Sequence, residues 1–128
     1  MKKFQYQIVR YLHDYVTDEF VNVGIIVFHP ESKFLEAKFI KKHHRISQFF
    51  KNINGDFLVS TLRNFNQEVS LEKSRLREMF TNHANLDAIT SSILPKDDSA
   101  LICSPVLQGL DIDLPKATED LFNRLVNE

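Results

Sequence analysis

Residues 3–13 alternate. Phe4, Tyr6, Ile8 and Leu12 fall on one parity, while Gln5, Gln7 and His13 share the other with Val9 and Tyr11. A period of two predicts a β-strand with one better-buried face. The polar stretch 14–19 reads as a connection, and residues 20–28 then run apolar on both parities apart from Asn22 and Gly24. A strand apolar on both sides belongs inside a sheet covered on both faces. Pro30 ends it, a tight turn over residues 30–33 follows, and alternation resumes over 33–41 with Leu35, Ala37 and Phe39 opposite Glu36 and Lys38. Connections this short favour an antiparallel meander.

The period then changes. Ile46, Phe49, Phe50 and Ile53 lie at i, i+3, i+4 and i+7, one stripe of an amphipathic helix, with Asn54-Gly55 at its C-terminal end. Asp56 is expected to cap a second helix whose stripe is Leu58, Leu62, Phe65 and Val69. A third is expected from Ser70, with Leu76, Met79 and Phe80 inward and Glu72, Lys73, Arg75, Arg77 and Glu78 toward solvent. Leu86, Ala88, Ile89 and Ile93 outline a short helix, and residues 95–99 a loop. Ala100–Ser104 is short, apolar and bounded by turn residues, which predicts a fourth strand. Asp113 with Pro115 announces a last helix with the stripe Ala117, Leu121, Phe122, Leu125 and Val126. The expected class is α+β: an antiparallel sheet of about four strands, an N-terminal three-stranded meander plus one late strand, packed against three to four helices.

At 128 residues the chain, 1–128, fits a single domain. Eleven Phe, three Tyr and no Trp place much of its core in phenyl rings. One cysteine excludes an internal disulfide framework and a four-cysteine zinc site. No apolar run reaches the roughly 18 residues of a membrane helix, and the start lacks the apolar region of a signal peptide, so a cytoplasmic protein with no membrane association is expected. The formal charge is −1, but it is unevenly spread: residues 33–51 carry six basic and one acidic side chain, and residues 95–128 three basic and seven acidic.

Candidate chemistry is sparse. In the basic segment 38–51, Lys41, Lys42, Arg45 and Lys51 are candidate contacts for anions or nucleic acid, aided by His43 and His44 at lower pH; no aromatic interleaves with them for base stacking, and a solvated helix face is the alternative. His43 and His44 diverge by about 100° on a helix and do not chelate one ion together. His13 and His29, with Asp14 or Glu31, are the remaining route to a metal; no metal or other cofactor is expected. Cys103 sits in an apolar segment as core filling, and the chain has no nucleophile elbow, no Gly-rich phosphate loop and no dinucleotide fingerprint.

Asn22 and Gly24 need a reason within an apolar strand. Gly24 marks a bulge or a close approach, with room for a ring such as Tyr6 or Phe28. A buried Asn22 amide needs partners, and the expectation is that it ties the 14–19 connection to the sheet. Arg10, Glu19 and Asn22 form a candidate polar cluster, with Arg10 expected to pair with Glu19.

Ile8–Tyr11 followed by Glu19-Phe-Val-Asn-Val-Gly24, and Ser104-Pro-Val-Leu-Gln-Gly109 before a Leu-rich terminal helix, resemble the bacterial domain-of-unknown-function family 3037 over essentially the whole chain. Leu107 and Gln108 stand where such proteins often have His, so the resemblance carries no catalytic residue. It implies a small bacterial protein with no established activity, often encoded beside kinases that resemble the persistence-toxin kinases. The expected function is therefore an accessory or regulatory protein, leaning away from an enzyme. It would bind a protein partner, such as one of those kinases, in an antitoxin-like or defence-related role. A nucleic-acid binder using segment 38–51 and a small enzyme with its site near Arg10, Glu19 and Asn22 are the alternatives.

Overall fold

A computed structural model describes residues 1–14, 17, 19–42, 46, 55–78, 85–94 and 101–126. Five strands form one antiparallel sheet: β1 (Lys2–Asp14), β2 (Glu19–His29), β3 (Phe34–Phe39), β4 (Leu101–Cys103) and β5 (Leu107–Asp111). Among the described residues three helices accompany them: α1 (Gly55–Glu78), α2 (Leu86–Ile93) and α3 (Leu114–Leu125). The class is α+β, with the N-terminal meander in place. The strand order is β3-β2-β1-β4, and β5 joins the same side of β1 further along.

Alternation puts two cores on the two faces of the sheet. Val9, Val23, Ile26, Phe28, Leu35 and Phe39 pack with α1 and α2, whereas Phe4, Ile25 and Val27 pack with Leu114, Ala117 and Phe122 of α3. The doubly apolar β2 is accordingly interior and covered on both sides, as a strand of that composition must be.

The structure corrects the sequence reading in four places. First, the late segment supplies two strands, not one. Ser104 interrupts them: its backbone N–H donates to the Ile8 carbonyl at 2.8 Å, and its hydroxyl accepts from the Ile8 N–H at 2.9 Å. Pro105, which has no N–H to give a ladder, follows at this kink. Second, the expected break at Ser70 is absent and α1 is one helix of 24 residues. The Ser70 hydroxyl donates to the Asn66 carbonyl, one turn back, and so finds its partner within the helix. Glu72 interrupts the apolar stripe but is buried on it, paired with Arg75, and the stripe runs on to Leu76. Asp56 consequently lies in the first turn of α1 and does not cap it from outside. Third, both faces of β1 are covered. Gln7 on the "polar" parity is fully buried. Fourth, the ring over Gly24 is Phe39, and neither Tyr6 nor Phe28: a Cβ on Gly24 would lie 2.7 Å from Phe39 Cε1 and 3.0 Å from the Lys38 carbonyl oxygen.

Of the bulge or close approach expected at Gly24, both are present. Val9 pairs with Gly24 and Arg10 with Asn22, leaving Val23 as the extra residue. That extra residue resets the parity, so Val23 joins Ile26 and Phe28 on the α1 face. Of the helix expected around Ile46, Phe49, Phe50 and Ile53, only Ile46 is described, in helical conformation and buried; the other three, with Met79, Phe80 and the 95–99 loop, lie outside the described residues. The last helix starts as its sequence requires: Asp113 is the N-cap, accepting from the Lys116 N–H at 3.1 Å, with Pro115 in the first turn.

Candidate functional site

The bulge brings Arg10 opposite Asn22 on the α3 face of the sheet. Asn22 is half-buried, and its Nδ2 donates to the Leu125 carbonyl at 2.9 Å. Leu125 ends α3, where carbonyls have no partner within the helix, so Asn22 docks that helix end onto β2. This ties β2 to a helix a hundred residues away; residues 15, 16 and 18 of the connection that Asn22 was expected to hold lie outside the described residues. Arg10 Nε approaches Asn22 Oδ1 at 3.4 Å, and its guanidinium lies 4.6 Å from the centroid of the Phe20 ring. Glu19 is placed elsewhere. It pairs with Asp14 in the ladder and accepts from the Thr17 hydroxyl at 3.1 Å. The structure therefore joins Arg10 and Asn22 with Phe20, and leaves Glu19 out. Asn22→Ala is expected to cost about 1 kcal/mol, the value of one hydrogen bond at a partly exposed site. Urea denaturation measures the loss, and hydrogen exchange should show the last turn of α3 opening first. Unchanged exchange there would mean that the Asn22 amide does not hold the helix end.

Lys41 and Lys42 are exposed just past β3. Arg45 and Lys51, with His43 and His44, lie outside the described residues. Lys38 faces α3, bonded to Glu119 Oε1 at 2.6 Å and lying 4.8 Å from the centroid of the Phe122 ring. That part of the basic segment is committed to holding α3. His29 is buried, with Nδ1 2.7 Å from the Ser32 hydroxyl. Among the described residues no three metal-ligating side chains come together.

A second polar group, not anticipated from the sequence, joins β1 to α2 and to the β4–β5 kink. Gln7 Nε2 donates to the Ser104 carbonyl at 2.9 Å and to Asp87 Oδ1 at 3.3 Å, and its Oε1 accepts from the Thr90 hydroxyl at 2.7 Å. Gln5 Oε1 accepts from the Leu86 N–H at 2.7 Å, and Asn85 caps α2 through the Asp87 N–H. Every polar atom of the Gln7 amide has a partner, which makes the group a clamp and not a reactive centre. Cys103 lies beside it. Burial, reinforced by the Asp87 carboxylate and opposed by a hydrogen bond with Thr90, pushes its thiol up to about 12. A thiol protonated throughout the physiological range is no nucleophile. The signal in the sequence was the spacing of Gln5 and Gln7 on one parity of a strand otherwise shared with Val9 and Tyr11.

Several exposed apolar side chains gather at the β5 margin. Leu107 and Leu110 of β5 are exposed, and Met1 and Ile112 flank them. Among the described residues β5 has one partner strand, β1, and no strand of those residues pairs with its other edge. Gly109 in its centre lies against the ring of Phe4; a Cβ there would come within 2.8 Å of Phe4 Cε2.

The two segments that set this arrangement, the bulged stretch Glu19–Gly24 and the kinked stretch Ser104–Gly109, flank β1 on its two sides. A family model described as "Protein of unknown function (DUF3037)" matches residues 6–126. The chain belongs to that family. The match takes in all of β2 to α3 and most of β1. No curated protein and no solved structure matches the chain. No helix among the described residues is long and apolar enough to cross a membrane.

Proposed function

We propose that this DUF3037 protein is a non-enzymatic binding module that takes up an extended segment of a partner protein along β5. The observation that carries the reading is a strand edge without a partner strand among the described residues, whose side chains from Leu107 to Leu110 bear no charge and leave two leucines in solvent. Soluble proteins ordinarily blunt such an edge with charges, proline or a covering segment. Here Pro105 stands before β5, and among the described residues no segment pairs with the outer edge of β5. An added strand gains main-chain hydrogen bonds from the edge and specificity from the alternate side chains. The saturated Gln7 clamp and the un-ionised Cys103 thiol favour a scaffold over a catalytic centre. The kinase implied by the family resemblance, in an antitoxin-like role, is the partner to examine first.

The test is co-purification of the tagged full chain from its host at low salt, beside Leu107→Lys/Leu110→Lys. Wild type is expected to carry one protein in stoichiometric amount, with the β5 amides protected from exchange in the complex. The double variant should lose the partner while keeping its unfolding midpoint, since both side chains are exposed. A partner retained by the variant, or bound without protection of β5, would overturn the reading.

A further inference from the structure

We infer that the cleft at the turn end of the sheet binds a small organic phosphomonoester. This cleft, of about 660 Å³, lies where the start of β1, the turn of residues 30–33, the C-terminal half of α1 and the start of α3 meet. That volume suits a small-molecule ligand. Four cationic side chains line it, Lys2, Lys33, Lys73 and Arg77, against two carboxylates, Glu36 and Asp113.

The carboxylates are already engaged. Glu36 pairs with Lys73, which reaches from α1 across the edge strand β3, and Asp113 caps α3 through the Lys116 N–H. Asp111, opposite Lys2 in the ladder, accepts instead from the Asp113 N–H at 3.0 Å. Lys2 and Arg77 have no carboxylate partner among the described residues. The excess of two positive charges among the lining groups matches a dianion, which a phosphomonoester is near neutral pH. It exceeds what a single carboxylate would neutralise. Asp113 already occupies the N-terminus of α3, so the positive charge on offer is that of side chains. The turn that carries Lys33 closes through its N–H to the Pro30 carbonyl at 3.1 Å, with Lys33 at φ 54, in the left-handed region that non-glycine residues rarely enter. Phe34, Leu114 and Pro115 supply the apolar wall for the organic part of the ligand.

Isothermal titration of the full chain with phenyl phosphate, inorganic phosphate and phenol tests this. Phenyl phosphate is expected to bind, inorganic phosphate about tenfold more weakly, and phenol not at all. Arg77→Gln and Lys2→Gln should each weaken phenyl phosphate by about tenfold, the order of one charge-assisted hydrogen bond. Lys41→Gln, outside the cleft, should change nothing, and neither should the β5 variants, which separates this site from the proposed strand edge. All substituted side chains are exposed, and urea midpoints establish that the variants fold. Phenol binding as well as phenyl phosphate, equal affinity in Arg77→Gln and Lys2→Gln, or no phenyl phosphate binding in the millimolar range would each overturn the inference. Binding of a single-stranded oligonucleotide with none of phenyl phosphate would overturn it too, by assigning these cations to a polyanion.

Discussion

Gln7→Leu is expected to destabilise the fold by about 3 kcal/mol, although leucine is close in size and more apolar. Gln7 is fully buried, so the substitution opens no large cavity and the cost falls on the polar atoms left behind. The Ser104 carbonyl loses its 2.9 Å donor, and the Thr90 hydroxyl loses its 2.7 Å acceptor, its contacts to the Leu86 and Asp87 carbonyls being longer, 3.3 Å each. Those atoms sit at the junction of β1, α2 and the β4–β5 kink, where water does not readily replace the amide. The expected shift in unfolding temperature is about 10 °C for a domain of this size. Thr90→Val alone should cost less, and Gln7→Leu/Thr90→Val less than the sum of the two, because removing both partners leaves fewer orphaned groups. Urea denaturation of the four proteins measures this coupling. A Gln7→Leu protein as stable as wild type would mean that the clamp contributes no more than apolar packing.

Gly24→Ala should cost about 2–3 kcal/mol, against the usual sign. Where the backbone suits alanine, this change stabilises by roughly 0.4–1 kcal/mol by restricting the unfolded chain. Gly24 has no positive φ, so its backbone would accept alanine. Space is the obstacle. A Cβ would meet the Phe39 ring and the Lys38 carbonyl, and Phe39 is held in turn by Phe65 of α1, ring centroids 5.5 Å apart. Relieving the clash means shifting a core ring or parting β2 from β3, the penalty of overpacking. Phe39→Leu introduced into the Gly24→Ala background should recover part of the loss, since the smaller side chain frees the space. If the two substitutions add instead, the glycine serves the bulge and not the ring.

Local pattern made the meander, the interior position of β2 and the Asp113–Pro115 start of α3 legible, because each is written within a few neighbouring residues. Period two, an apolar run and a cap residue act over one strand or one turn, and the chain around them does not overrule them. The same local reasoning split α1 at Ser70 and set Glu72 toward solvent, since a serine suits a helix start and a carboxylate suits an outer face. Packing reversed that: Ser70 bonds back to Asn66, and Arg75 neutralises the buried Glu72. Asn22 and Gly24 were legible as residues that needed partners; which partners was not. Leu125 and Phe39 are distant in sequence, and alternation does not say which helix end or which ring arrives at a given face.

Local pattern called for an α+β fold, a three-stranded N-terminal meander, a bulge or close approach at Gly24 and a helix start at Asp113. Long-range packing makes Gln7 a core clamp, leaves Glu19 out of the Arg10–Asn22 contact and divides residues 101–111 into two strands at Ser104. The physical reason is one of range: hydrogen-bonding geometry along a strand or turn is set by neighbours, whereas desolvation forces a buried polar or oversized group to be matched by whatever the fold brings against it.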